Sequence, residues 1–446
     1  MTSLVQRLSK TFEHDNDFFA IPAYLSDAPA MLIGFKSLID VPSTKIGLQQ
    51  HCESASLARM SLDRLKASLG DVKPDLADEG EAIGAILKGK LLICFEEDSA
   101  CVIADPVLKK LDRQVDQPTT ENVLHGSFNA FIEDSHANIG ILRKQVQSEK
   151  LRVHTYVIGS EETTSLSLLY YDGKADPAFI AKIKHQIESN RNRCVRNLQG
   201  LARYMGFNAW RTLSNFTQTE LPEETARYLR EGRAVLLLDQ FPIAFVLPGL
   251  ILDAFFLESD RNMTVPLMVF MRSVRFVGVM ATLILPALYV ALVSVNPEVL
   301  RIELAVSIAQ SREGIPYPVF LEIVLMLIIL ELIIEASARL PQRIGPTITM
   351  VGGIILGQAV VQAKLVSNIL IIILAAVTIA NSTIVGLPQT IALRSAKYMI
   401  VVLAALFGVM GILEGLALVC AYLASLTTYG VPYVSLYKTR NANDHG

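Results

Sequence analysis

The sequence is poor in the residues that usually build a catalytic or metal centre. It has five cysteines, seven histidines and one tryptophan in 446 residues. The cysteines (Cys52, Cys94, Cys101, Cys194, Cys420) are odd in number, scattered and without a Cys-x-x-Cys pair, so neither a zinc site nor a disulfide framework follows. Cys94 and Cys101 are close enough to face each other across a hairpin, but reduced core cysteines are the expectation. The histidines stand alone. There is no Gly-rich phosphate loop, no nucleophile elbow and no His-Glu metal motif. No catalytic residue, metal or cofactor is therefore expected, and the chain does not read as an enzyme. There is also no basic run and no basic–aromatic interleaving, and the net charge is −3. That excludes nucleic acid as the expected partner. The first residues, MTSLVQRLSKTFEHDNDFF, lack an apolar core of signal-peptide length, so export of the region that follows is not expected.

Apolar residues are abundant. They make up 51% of the chain, with a mean hydropathy of +0.40, and they are unevenly spread. Up to about Phe270, charged and apolar residues mix as in a soluble protein. Beyond it the chain is mostly apolar. The expected architecture is an α/β soluble region followed by an all-α, multi-span membrane domain. Arg272 and Arg275 precede the first long apolar run, which places the soluble region on the cytoplasmic side.

The soluble region reads as two similar subdomains in tandem. EGEAIGAILKGKLLICFEEDSACVIADP (79–106) and PEETARYLREGRAVLLLDQFPIAFVLP (222–248) share one plan. Each starts with a short amphipathic helix. Each places a basic residue after a glycine, Gly89-Lys90 and Gly232-Arg233. Each then runs through an apolar strand, an acidic turn (Glu96 to Asp98; Asp239) and a second apolar strand that ends at a proline. Short apolar runs bounded by turn residues read as buried hairpin strands. The second hairpin is not a membrane span, because Asp239 at its centre costs about 2.5–3.5 kcal/mol in a bilayer. LRVHTYVI and TTSLSLLYY between the copies read as strands. DPAFIAKIKHQIESN reads as a helix with Phe179, Ile180, Ile183 and Ile187 on one face. The expected divisions are 1–145 and 146–270 for the two cytoplasmic subdomains, 271–428 for the transmembrane domain and 429–446 for a short polar tail.

The membrane domain is expected to hold about four to five helices. Phe276 to Val295 is the clearest, with a kink at Pro286. PEVLRIELAVSIAQSREGIP reads as an interfacial helix. Tyr317 to Ala338 carries Glu322 near one end and Glu331 and Glu335 deeper in. Intramembrane carboxylates avoid lipid, and Glu335 has a local partner four residues on, Arg339. Tyr398 to Leu426 reads as one long span with Glu414 between Gly411 and Gly415. The run that starts at Ile348 is the odd one. It meets Gln358 after about half the roughly 20 residues a span needs, then Gln362 and Lys364. Gly353 and Gly357 lie one turn apart, a spacing that lets another helix approach. The glutamines must face protein or water. Two readings stay open: buried glue between helices, or a helix lining a water-filled pore between subunits. The side of the tail is open too, since it depends on whether this run crosses.

These residues resemble a known family. EGIPYP (313–318), ELIIEASARLP (331–341) and IGPTITMVGGIILGQAVVQAKLVS (344–367) look like the hallmark of the A subunits of spore-germination receptors, the GerA family. LPALYVALVSVNPEVL (285–300), EGRAVLLLD (231–239), TENV (120–123) and NIGILRK (138–144) are similar to further parts of it. The resemblance implies a subunit of a nutrient-sensing complex in the inner membrane of a bacterial spore. It implies a homo-oligomer, a pentamer, forming a ligand-gated channel that releases ions. It implies a transporter-like B subunit and a lipoprotein C subunit as partners. The chain departs from the family at His125-Gly126-Ser127, where Arg-Gly-Pro is usual, and in ESDRNMTVPL before the first span. It also has Lys364 where the family usually has glycine, and a lysine at a pore mouth repels cations. The competing classes are a secondary transporter using Glu331 and Glu335, and a membrane-anchored signalling scaffold.

Overall fold

The computed structural model describes residues 3–25, 28–57, 69, 71–73, 79–95, 101–107, 129–208, 211, 213–256, 260, 263–340, 345–383 and 387–435. The acidic turn at 96–98, the TENV match, His125-Gly126-Ser127 and the last eleven residues of the tail lie outside these.

The N-terminal half folds around two antiparallel sheets. The first contains α1 (Ser3–Thr11), β1 (Phe18–Leu25), β2 (Ala28–Phe35), α2 (Val41–Leu57), β3 (Asp71–Lys73), α3 (Glu79–Leu87), β4 (Leu91–Phe95) and β5 (Cys101–Ala104), with sheet order β1-β2-β4-β5-β3. The second contains α4 (Ser135–Val146), β6 (Leu151–Ile158), β7 (Thr164–Tyr171), α5 (Pro177–Ser189), α6 (Leu198–Tyr204), β8 (Thr217–Thr219), α7 (Pro222–Arg230), β9 (Ala234–Leu238) and β10 (Ala244–Leu247). Its order is β6-β7-β9-β10-β8, the same pattern strand for strand. The two hairpins paired by sequence, β4–β5 and β9–β10, occupy equivalent places.

Strand β9 is buried along its whole length because helices cover both faces. Ala234, Leu236 and Leu238 join Phe179, Ile183 and Ile187 of α5. Val235 and Leu237 point the other way, to Leu142 of α4 and Leu229 of α7. The period of two along the strand builds both layers. The glycine–basic pairs also gain a physical meaning. Lys90 N–H donates to Ala85 O and Gly89 N–H to Ile86 O. Arg233 N–H donates to Tyr228 O and Gly232 N–H to Leu229 O. Each helix thus ends in a Schellman motif, and each glycine has φ +83°. In β4–β5, Cys94 and Cys101 stand directly opposite, with Cα atoms 4.2 Å apart. They are joined as a disulfide, not held as the reduced core cysteines expected.

Helix α4 ties the two sheet units together. Its Arg143 reaches back to Asp15 and Asp17, and its guanidinium lies 3.8 Å from the Phe35 ring centroid. Beside it, Asn16 N–H donates to Val153 O at 3.0 Å and Arg152 Nη1 to Thr11 O at 2.6 Å.

The C-terminal half is helical: α8 (Val265–Val290), α9 (Ile302–Ser311), α10 (Val319–Arg339), α11 (Gly345–Gln362), α12 (Asn368–Asn381), α13 (Leu387–Phe407) and α14 (Val409–Ser425). Among the described residues one helix, Val265–Val295, is long and apolar enough to cross a membrane by length and composition. It starts eleven residues before the apolar run, at a Pro266 suited to a first helical turn. Arg275 is tolerated inside it because Asp260 takes its guanidinium in two contacts, one of 2.8 Å.

The run from Tyr398 to Leu426 is not one span. The chain turns at Gly408, with φ +62°, and α14 folds back on α13. A Cβ on Gly411 would overlap Leu403 O, and one on Gly415 would meet Ile400 at 3.0 Å. Those pairings run in opposite directions, so the two helices form an antiparallel hairpin. Asn296 Oδ1 accepts the Val409 N–H at 3.0 Å and caps the returning helix.

End contacts give the helix directions. Ser367, after α11, touches Tyr289 near the end of α8 and Glu322 near the start of α10. Gly278 in mid-α8 faces Ala380 and Thr383 at the end of α12. Hence α8, α11 and α13 run away from the sheets, and α10, α12 and α14 run back. The chain after α14 then docks on the second sheet unit. Lys182 Nζ donates to Tyr429 O at 3.1 Å and Tyr429 OH to Met205 O at 2.6 Å. Ile251 N–H donates to Tyr433 O at 3.1 Å. The Tyr429 ring packs on Phe179 and Phe207.

Candidate functional site

The elbow between α11 and α12 gathers most of the sequence candidates. Gly353 and Gly357 face open space: a Cβ at either would meet nothing within 4 Å. Gln358 and Gln362 are exposed on α11. They border an open cleft of about 550 Å³, closed on the far side by Asn368, Ile371 and Ile372 of α12. An amide-lined cleft between two apolar helices offers donors and acceptors for water or a hydrated ion, and no group for bond chemistry.

The elbow is held by side chains that sequence reasoning did not assign to the site. Glu322, 1% exposed, accepts the Ser367 N–H at 2.6 Å through Oε1 and Arg312 Nε at 3.3 Å through Oε2. Ser367 Oγ in turn accepts the Leu370 N–H at the start of α12 and pairs with Tyr289 OH at 3.0 Å. The legible signal was a serine before an apolar helical run, which is an N-cap pattern. Its buried carboxylate partner, 45 residues earlier, left no local trace.

Lys364 is the left-handed residue of another Schellman motif. Its φ is +54°, its N–H donates to Val361 O, and Leu365 N–H donates to Val360 O. A side chain in that conformation costs roughly 1–2 kcal/mol, which is a backbone reason for the glycine usual in the resembling family. The lysine stem lies against Gly314 of the α9–α10 turn. Lys364→Gly is expected to raise the stability of the detergent-solubilised protein by about 0.5–1 kcal/mol, since glycine gives back part of the gain as chain entropy. A thermal melt showing a loss instead would mean that the Gly314 contact outweighs the backbone strain.

The three carboxylates are not brought together. Glu331 accepts Arg394 Nη1 at 2.8 Å and Tyr398 OH at 3.2 Å, both from α13. Glu335 pairs with Arg339 at 2.7 Å on the exposed surface of its own helix. Glu414 is exposed on α14 and has no side-chain partner among the described residues. Also among the described residues, no group of three His, Cys, Asp or Glu side chains is placed to hold a metal ion.

Comparison with known proteins agrees with the sequence resemblance. The family described as Bacillus/Clostridium GerA spore germination protein matches residues 6–445. Spore germination protein A1 of Bacillus subtilis (strain 168) is 29% identical over 394 residues, covering 86% of this chain and 80% of that protein. Spore germination protein GerLA of Bacillus cereus is 30% identical over 356 residues, covering 80% and 72%. An uncharacterized membrane protein of Bacillus subtilis (strain 168), YfkQ, is 30% identical over 325 residues, covering 72% and 63%. Among solved structures, the N-terminal domain of the A subunit of the Bacillus megaterium spore germinant receptor GerK3 aligns with TM-score 0.39 and 15% identity. It covers 55% of this chain and 94% of that one.

Proposed function

The chain belongs to the GerA family of spore germination proteins, and from that premise we propose that it is the membrane subunit of a nutrient-sensing germination receptor whose copies assemble into a ligand-gated ion channel. The observation that carries this reading is the outer face of α11. Gly353 and Gly357 face open space, and Gln358 and Gln362 border a cleft rather than the bundle core. Such a face suits a neighbouring copy of α11 against the glycines, with the amides turned to a water-filled path.

In this reading the two sheet units are the cytoplasmic subdomains, divided ahead of α4 rather than at the expected 145/146 because α4 packs on the second sheet, and 271–428 is the membrane domain. Residues 429–446 form the tail, which begins where Tyr429 docks on the second subdomain. Six helices pass through the membrane, because the run at Tyr398–Leu426 splits into two. Even passage and the docked tail support a topology with both ends on the cytoplasmic side of the spore inner membrane. The partners are a B subunit resembling a transporter, a lipoprotein C subunit and further copies of this chain, five in the assembly. A secondary transporter would need Glu331 and Glu335 to share a site. Glu335 is instead tied to Arg339 on the exposed surface of its own helix.

Spores carrying Gly357→Leu or Gln358→Leu test the proposal. Stimulus-dependent ion release is expected to be abolished, with the protein present at normal level and still assembled. Normal release from such spores would remove α11 from the path.

A further inference from the structure

The strongest unused cluster lies midway along α13. Lys397 is the central residue of that helix, roughly 15 Å from either end at 1.5 Å per residue. It is only 7% exposed. Its ammonium makes no hydrogen bond or ion pair among the described residues; the Tyr398 ring lies 5.1 Å away, and the ammonium feels the charges of Glu331 and Arg394 without touching either. Arg394, one turn earlier on the same face, uses Nη1 on Glu331, but its Nε–H is buried and unsatisfied. Glu331 already accepts from Arg394 and from Tyr398. Two cations therefore share one carboxylate inside an apolar bundle.

Two deficits coincide here: an uncompensated positive charge and an orphaned guanidinium N–H. Loss of a proton from Lys397 would cure the first and leave the second, because a guanidinium does not give up its proton. Water would cure the second and leave the first. A small monovalent anion cures both. A divalent anion would overcompensate the single excess charge. We propose that Arg394 and Lys397 form a binding site for a halide-sized monovalent anion, which fastens α13 to α10 through the shared Glu331. The site is distinct from the α11 cleft and does not rest on the channel reading.

The test uses full-length protein in detergent, melted in sodium gluconate into which chloride or bromide is titrated at constant ionic strength. A saturable upward shift in melting temperature is expected with either halide, and none with added gluconate. Lys397→Met is expected to abolish the halide response and, in gluconate, to melt no lower than the unaltered protein, since it removes an unpaired buried charge. Lys397→Arg is expected to keep the response. An unaltered protein indifferent to chloride, or a Lys397→Met protein that still responds, overturns the site. Should Lys397→Met fail to fold, chloride-35 line broadening by the unaltered protein decides the matter: broadening displaced by bromide supports the site, and its absence overturns it.

Discussion

Arg143→Met is expected to lower the stability of the folded protein by about 3–5 kcal/mol at pH 7, the usual cost of removing one partner from a buried ion pair. The side chains of Arg143, Asp15 and Asp17 are 1%, 0% and 4% exposed. The guanidinium forks to Asp15 through Nη2 at 2.6 Å and to Asp17 through Nε at 2.5 Å. Asp17 keeps Ser37 N–H and Oγ as donors, at 2.9 and 2.7 Å, when the arginine goes. Asp15 keeps no side chain of opposite charge. Burial already raises the Asp15 carboxyl above its ordinary value, against the pull of Arg143. Without the arginine only the Asp17 N–H, which donates to Asp15 Oδ1 at 3.1 Å, still opposes that upward push. The folded variant then binds a proton where the unfolded chain does not, so its stability rises as pH falls toward the carboxyl range. The loss is therefore expected to shrink between pH 7 and pH 5, as measured by chemical unfolding at both. Arg143→Lys should recover only part of the stability, because an ammonium lacks the fork. A loss below about 1 kcal/mol, or one indifferent to pH, would show the triad to be energetically minor.

What was legible in the sequence followed from local rules. Ala234 to Leu238 is a short unbroken apolar run bounded by turn residues, and that pattern reads as a strand covered on both faces. Gly89-Lys90 and Gly232-Arg233 were visible as a shared pattern because a Schellman motif needs glycine at one fixed step. The glycines and glutamines of α11 stood out because they interrupt an apolar run. The rest was not legible, because its causes lie far apart in the chain. The reversal at Gly408 leaves the apolar pattern of Tyr398–Leu426 unbroken, and its cap comes from Asn296. Arg143 finds its carboxylates 126 and 128 residues away. Cys94 and Cys101 depended on the register of one hairpin, which a seven-residue spacing does not settle. Lys364 drew notice as a charge. Its structural peculiarity is a positive φ, which only the backbone reveals.

Glu322→Ala is expected to act on function more than its distance from the α11 cleft suggests. The carboxylate is the acceptor for the buried Ser367 N–H and the partner of Arg312. Its removal leaves the N–H unsatisfied, at about 1–3 kcal/mol. Arg312 loses less, since its side chain is 23% exposed and can turn to water. Asymmetry of that kind concentrates the damage on one point, the turn between α11 and α12. Ser367 Oγ still caps α12 and still meets Tyr289, so the helices remain. What is lost is the clamp that holds the end of α11 to the start of α10. If the outer face of α11 lines an ion path, its angle is set there. Spores with Glu322→Ala are then expected to hold normal amounts of protein yet release ions at altered stimulus concentrations, or without stimulus. Glu322→Gln separates the two roles. Its amide oxygen still accepts from Ser367, while the charge that pairs Arg312 is gone, so it should lie nearer the unaltered protein. Matching release curves for all three proteins would show that the elbow is braced by Ser367 and Tyr289 alone.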